Sequence, residues 1–205
     1  MGFNVRHEQK YKSFKSPESF MKRNPLTKRE MAAVHEAGHA VVGTFVGINV
    51  RCVTIEHEDG MVSFSALGEI CDLRRSPPVR VREVTERFIQ FAFGGSAAEL
   101  VKLEQHFGID NRSQNRASFL CEWQQKLFDE NDLDIWYAMR AGDFLVRGDD
   151  AKLADELTRL WDRTFRLARS RKLRPYIELL AERLLADDPM PPDELFAMFE
   201  QIRQG

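Results

Sequence analysis

The segment from Pro25 to Gly47 constrains the fold most strongly, because it carries the start, the body and the stop of one helix. Thr27 at the N-cap and Glu30 three residues later form a capping box, in which each side chain accepts a hydrogen bond from the other residue's backbone N–H. Apolar residues then recur at helical spacing, and Gly47 is a typical C-terminal stop. The pattern predicts a helix over residues 28–46.

Inside this helix lies His35-Glu36-Ala37-Gly38-His39, an HExxH motif. Residues four apart share one helix face, so the two imidazoles can coordinate a single ion. Neutral imidazole suits Zn²⁺, and Glu36 can take the proton of a water that the ion activates. The motif therefore predicts His35 and His39 as zinc ligands, Glu36 as the general base and amide hydrolysis as the reaction. Histidines that only pack in the core or at the surface are the alternative.

Gly38 stands in the middle of the predicted helix, where glycine costs about 1 kcal/mol relative to alanine. A glycine at such a position usually has a packing reason, such as the close approach of another backbone. We therefore expect a second segment of the chain to pass close to Gly38.

A tetrahedral catalytic site needs a third protein ligand, which must come from elsewhere in the chain. Asp110 stands where one predicted helix has ended and another begins, so its carboxylate could be a ligand held at a helix start, or a simple N-cap. We take Asp110 as the predicted third ligand. The alternatives are Glu99, which is more typical of a helix face or of an acid that supports a ligand, His106 at a helix end, His57 beside a turn, and the acids in the stretch from Asp129 to Asp134 inclusive.

The rest of the chain is mostly helical in pattern. Residues 50–57 and 61–65 flank the turn Asp59-Gly60 and predict a β hairpin. Residues 81–107 are helical in pattern apart from the pair Gly94-Gly95. Further helices are predicted at 112–128, 132–146, 150–171, 174–186 and 193–203. The predicted fold class is mostly α (α+β), a helical bundle with a small β hairpin.

The composition is that of an ordinary globular chain, with 205 residues, 43% hydrophobic and 30% charged. We divide it into a basic N-terminal arm, residues 1–26, which is either solvated or docks on a membrane surface or a partner, and a zinc metallopeptidase-like helical domain, residues 27–205. The net charge of -2 argues against a nucleic-acid binder. The basic cluster between Arg163 and Arg174 is more typical of a solvated helix end.

The three cysteines, Cys52, Cys71 and Cys121, form no close pair. They predict neither a disulfide framework nor a CxxC metal knuckle, and they favour the reducing cytoplasm as the location. The longest apolar stretch, Ala40–Val50, is too short to span a bilayer, so we expect no transmembrane segment.

The segment Met31–Val42 resembles the active-site helix of the FtsH-type, ATP-dependent zinc metallopeptidases, including the alanine and glycine inside the motif. Three later segments are similar to that family in the same order. Val53-Thr54-Ile55 resembles one of its strands, Phe93–Leu100 its Gly-Gly-x-Ala-Ala-Glu segment, and Ile177–Leu185 followed by Asp193–Leu195 its closing helices. The resemblance covers about residues 28–203.

This resemblance implies an α-helical peptidase domain with a β hairpin, in which the two motif histidines and a later aspartate hold Zn²⁺ and Glu36 is the base. In the family, that aspartate is followed four residues later by an alanine early in a helix. Counting back from Ala117 gives Ser113 in this chain, and Asp110 lies three residues earlier. Asp110 as the ligand therefore requires a shifted helix start.

The family joins its peptidase to an ATPase module and a membrane anchor, whereas the printed sequence contains no GxxxxGK phosphate loop. We therefore expect this chain to cleave peptides or unfolded protein without ATP, or to work with a separate ATPase or unfoldase chain. Because family members assemble as rings, a homo-oligomer is an open alternative. A catalytically weak or inactive fold that acts as a protein-interaction module is the alternative function.

Overall fold

The computed structural model describes residues 26–55, 61–64, 77–108, 133–186 and 190–204. Within these ranges the chain is mostly α-helical and has one two-stranded antiparallel sheet, which confirms the predicted fold class. Its elements in chain order are α1 (Lys28–Val46), β1 (Val50–Thr54), β2 (Met61–Phe64), α2 (Pro78–Phe107), α3 (Leu133–Val146), α4 (Asp150–Arg169), α5 (Arg174–Ala186) and α6 (Pro192–Gln204).

Helix α1 has the bounds that its sequence predicts. The backbone N–H of Glu30 donates to Oγ1 of Thr27 at 3.1 Å, and the backbone N–H of Thr27 donates to Oε2 of Glu30 at 2.7 Å, so the predicted capping box is present. At the other end Gly47 has a φ of 91°. Only glycine adopts this left-handed conformation without strain, which is why the helix stops there.

Strands β1 and β2 pair in antiparallel register, with Val53 opposite Val62 and Thr54 opposite Met61, which confirms the hairpin. The prediction extended the first strand to residue 57, but β1 ends at Thr54. The turn residues 56–60 lie outside the described part of the chain. β1 packs against α1.

Helix α2 continues through Gly94 and Gly95, although this pair interrupts the helical pattern of the sequence. The reason lies in its contact with α1. A Cβ atom at Gly38 would lie 2.4 Å from the carbonyl oxygen of Gly94, and one at Gly94 would lie 2.8 Å from the carbonyl oxygen of Gly38. The two backbones therefore touch at this point, as expected from the glycine in the middle of α1.

The helix predicted at 81–107 begins three residues earlier, at Pro78. The remaining described helices differ from the predicted ones by at most two residues at either end, and residues 174–186 match. The predicted helix 112–128 and residues 1–25 of the arm lie outside the described residues. The main core surrounds α1, which packs on α2, α5, α6 and β1, and a smaller core joins α2, α3 and α4. None of the described helices is long and apolar enough to cross a membrane.

Candidate metal centre

Two ring nitrogens and one carboxylate oxygen meet between α1 and α3. The Nε2 atoms of His35 and His39 lie 2.9 Å apart. Oδ2 of Asp134 lies 3.1 Å from Nε2 of His35 and 2.9 Å from Nε2 of His39. The histidines are one turn apart on α1, and Asp134 lies in the first turn of α3. The structure thus joins both motif histidines to one of the acids that the sequence left open.

The separations of these three atoms fit a metal site. Zinc bound at about 2.0 to 2.1 Å in a tetrahedral site has ligand atoms about 3.3 Å apart. The observed 2.9 to 3.1 Å needs to widen by only a few tenths of an ångström. Two imidazoles and a carboxylate are also a donor set that zinc accepts. Within the described ranges, no other group of three such side chains meets in this way.

The far nitrogen of each imidazole faces a hydrogen-bond acceptor. Nδ1 of His39 lies 2.8 Å from the carbonyl oxygen of Phe91, and Nδ1 of His35 lies 2.9 Å from Oε1 of Glu99. A carbonyl or a carboxylate can only accept, so each Nδ1 carries a proton and donates it. In the neutral rings both Nε2 atoms therefore present lone pairs toward Asp134, which is the tautomer that metal ligands require.

Three acceptor atoms that face one another repel unless a proton or a metal ion lies among them. Burial alone would lower the pKa of His35, yet its hydrogen bonds with Asp134 and Glu99 raise that pKa well above its ordinary value. Burial alone would raise the pKa of Asp134, but His39 and His35 hold it below its usual range. The arrangement therefore favours a positive charge among the three atoms, which either a proton or a bound metal ion supplies.

Glu36 is buried, with 5% of its surface exposed. Burial raises the pKa of its carboxyl group, and the charges of His39 and His35 act in the opposite direction. A raised pKa makes a carboxylate a stronger proton acceptor than an ordinary one. Glu36 thus has the properties of an acid–base group in the field of the three donor atoms.

Gly95 of α2 has no side chain, and the two imidazoles occupy the space that a side chain at this position would fill. A Cβ atom at this position would lie 2.5 Å from Nε2 of His39 and 2.6 Å from Nε2 of His35. Any other residue would therefore displace the ligand nitrogens. The sequence motif does not predict this role of Gly95, because the role depends on how α2 packs against α1.

The remaining candidates divide into those the structure describes and those it does not. Asp110, Ser113 and His57 lie outside the described residues, so Asp110 as the third ligand stays a prediction. His106 lies in the last turn of α2, as expected of a helix-end residue. Glu99 bonds a motif histidine on the side away from the three converging atoms, in the supporting position that the sequence offered as one alternative.

No family model matches the chain, and no curated protein is similar to it in sequence. The resemblance to FtsH-type peptidases therefore stays a prediction that depends on the segments quoted above. The chemistry of the metal centre is therefore inferred from the positions and charges of its own side chains.

Proposed function

We propose that this chain is a zinc metallopeptidase of FtsH-like type that hydrolyses peptide bonds in peptides or unfolded protein. In this proposal His35, His39 and Asp134 hold Zn²⁺, and Glu36 is the general base. One observation carries it: two ring nitrogens and a carboxylate oxygen converge at 2.9 to 3.1 Å, while the far nitrogen of each ring faces a hydrogen-bond acceptor.

The chemistry that zinc supplies when bound is polarisation of the peptide carbonyl and a lower pKa for water. Glu36 takes one proton from the attacking water, whose oxygen forms a bond to the carbonyl carbon. The carbon–nitrogen bond then breaks, and Glu36 passes the proton to the leaving amine. The raised pKa of Glu36 suits this transfer, because the carboxyl group must hold the proton between the two steps.

Two features favour hydrolysis over a structural or binding role. A structural zinc site is closed by four protein ligands, whereas a catalytic site has three and leaves one position open. Among the described residues, the group contains three. A structural site also has no use for a buried carboxyl group with a raised pKa in its electrostatic field, and Glu36 is such a group.

The third ligand is tested by metal analysis of two matched variants. Asp134→Asn should lose zinc, because the amide removes the negative charge among the donors. Asp110→Asn should keep about one zinc per chain. The reverse result would show that Asp110 is the ligand, as the sequence predicted.

The role of Glu36 as the general base is tested by measuring peptide hydrolysis. Glu36→Gln should keep zinc but lose hydrolysis of an unfolded substrate, because the amide retains the shape and cannot take the proton. Glu182→Gln, an exposed change on α5, is the control and should behave as wild type. A wild-type chain that carries zinc and cleaves no unfolded substrate would favour the interaction-module alternative.

The proposal extends to location and partners. We place the chain in the cytoplasm, with a separate ATPase or unfoldase chain as a candidate partner and a homo-oligomer as a candidate assembly. The cysteine count and the free thiol of Cys52 support a reducing compartment. Light scattering and co-purification test the assembly and the partner.

A further inference from the structure

The end of α4 and the connection from α4 to α5 form a strongly basic surface. Residues 163–177 contain no acidic residue and six basic ones, which are Arg163, Arg166, Arg169, Arg171, Lys172 and Arg174. The chain as a whole has a net charge of -2, so this positive excess is local. A local excess of one sign creates an electrostatic field that attracts ligands of the opposite charge.

Two of the six basic residues are paired inside the protein. Nε of Arg169 lies 3.7 Å from Oε2 of the buried Glu104, and Nε of Arg174 lies 3.6 Å from Oε1 of Glu178. The other four are exposed and have no acidic partner within the described part of the chain. We call these four residues the basic corner: Arg163, Arg166, Arg171 and Lys172.

The basic corner is continuous on the surface. Arg163, Arg166 and the C-cap residue Ser170 follow the spacing i, i+3 and i+7, so they share one face of α4. The chain leaves the helix on this face, and Arg171 and Lys172 follow directly. The ammonium group of Lys172 lies 4.5 Å from the ring centroid of Phe45 in the last turn of α1. The basic corner therefore lies where the C-terminal ends of α4 and α1 meet.

The helix dipole does not account for the whole basic corner. Cations in the last turn of a helix are stabilised by its carbonyl end, and the effect falls off within that turn. In α4 the last turn contains Arg166 and Arg169. Arg163 lies before this turn, and Arg171 and Lys172 follow the end of the helix. Three of the four cations are thus free to bind an external anion.

The side chains of the basic corner favour a partner that carries carboxylates. Three of the four are arginines, whose planar guanidinium group binds a carboxylate through two parallel hydrogen bonds. Stable attachment to a membrane takes a second signal besides basic charge, such as an apolar group that inserts into the bilayer. None of the large hydrophobic side chains among residues 163–176 is exposed. An acidic protein surface therefore fits the basic corner better than a lipid bilayer does.

We propose that the basic corner docks an acidic segment of a partner protein. Several Asp or Glu side chains of that segment pair with Arg163, Arg166 and Arg171. The docking uses none of the residues of the metal centre, so it does not depend on the proposed function. Loss of either one leaves the other standing, because docking is measured by binding and the proposed function by zinc content and hydrolysis.

The test is a binding measurement on the full chain with a short fluorescent probe peptide of alternating Glu and Gly, followed by anisotropy at low salt. A second probe has Gln in place of each Glu. The Glu probe should bind about tenfold more tightly than the Gln probe and should weaken as salt is added, because the contact is electrostatic. The triple variant Arg163→Gln, Arg166→Gln, Arg171→Gln should bind the Glu probe about tenfold more weakly than wild type.

The matched control is the triple variant Lys28→Gln, Arg29→Gln, Arg80→Gln. It removes the same number of exposed positive charges from the starts of α1 and α2, and it should keep the affinity of wild type. If the first triple variant fails to fold, the double variant Arg163→Gln, Arg171→Gln should still weaken binding severalfold. An unchanged affinity in the folded corner variant, or an equal loss in the control, overturns the proposal.

Other occupants are separated with the same variants. Vesicles of phosphatidylcholine and phosphatidylglycerol, and a short DNA duplex, should show no binding that the corner variant removes. Binding of either one that is tighter than that of the Glu probe and is lost in the corner variant would overturn the assignment to a protein partner. A dimer, measured by light scattering, that the corner variant dissociates would overturn it too, because the occupant would then be a second copy of this chain.

Discussion

His39 donates its Nδ1 proton to the carbonyl oxygen of Phe91 across 2.8 Å. The acceptor belongs to the backbone of α2, so no side-chain substitution on α2 removes it directly. The orientation of this imidazole therefore follows from the packing of α1 on α2, and the tautomer follows from the orientation. His35 differs, because its acceptor is the side chain of Glu99 and can be deleted.

Removing the Glu99 carboxylate, which accepts the hydrogen bond from His35, should weaken metal binding. In Glu99→Ala the ring of His35 loses the partner that fixes its tautomer, and zinc affinity should fall by about 10-fold to 100-fold. The measurement is zinc competition with a chromophoric chelator. Glu182→Ala, on the exposed side of α5, should leave the affinity unchanged. An unchanged affinity in Glu99→Ala would show that this hydrogen bond does not support the ligand.

Adding one methyl group at Gly95 should prevent zinc from binding at the metal centre. Alanine favours a helix over glycine by about 1 kcal/mol, so the backbone accepts this change, but the new Cβ would overlap the ligand nitrogens of His35 and His39. Gly95→Ala should therefore purify with far less than one zinc per chain.

The control is Gly142→Ala, in which the added methyl meets the flexible ends of Leu153 and Leu157 instead. Its zinc content should match wild type, whatever its thermal stability. Full zinc occupancy in Gly95→Ala would show that the imidazoles of the folded protein do not lie against α2.

An ion-pair network at Glu156 should make stability depend on pH. Arg159 donates two hydrogen bonds of 2.9 Å to this carboxylate and holds its pKa below the ordinary 4.5. A lowered carboxylate pKa contributes stability that is present above about pH 4.5 and is lost as pH falls through the folded-state pKa. Glu156→Gln should therefore lower the free energy of unfolding by about 0.5 to 1 kcal/mol at pH 7, and the difference from wild type should be smaller at pH 3.

Urea unfolding with a chelator present measures this difference without a contribution from zinc release. Asp155→Asn, an exposed change on the same helix, should show no such dependence. A Glu156→Gln effect of equal size at both pH values would mean that packing, and not charge, accounts for it.

Local signals allowed much of the fold to be predicted. The capping box at Thr27 and the glycine stop at Gly47 fix both ends of α1 within the segment itself, and the bounds 28–46 match. The spacing of His35 and His39 on that helix likewise places both nitrogens on one side, as the structure shows.

Long-range contacts could not be predicted in the same way. Asp134 lies 95 residues after His39, and its helix start does not distinguish it from Asp110 or from the neighbouring acids. Its selection depends on how α3 packs on α2 and α4, which brings Asp134 to the two histidines of α1. The continuation of α2 through Gly94 and Gly95 depends on contact with α1 too, because local propensity alone disfavours glycine there.

The central claim is that His35, His39 and Asp134 together hold one zinc ion. A crystal grown with zinc, measured at the zinc absorption edge, tests it directly. The account predicts a single anomalous peak about 2.0 to 2.2 Å from Nε2 of each histidine and from a carboxylate oxygen of Asp134. No peak between the two rings, or a peak whose third protein ligand is another residue, would contradict it.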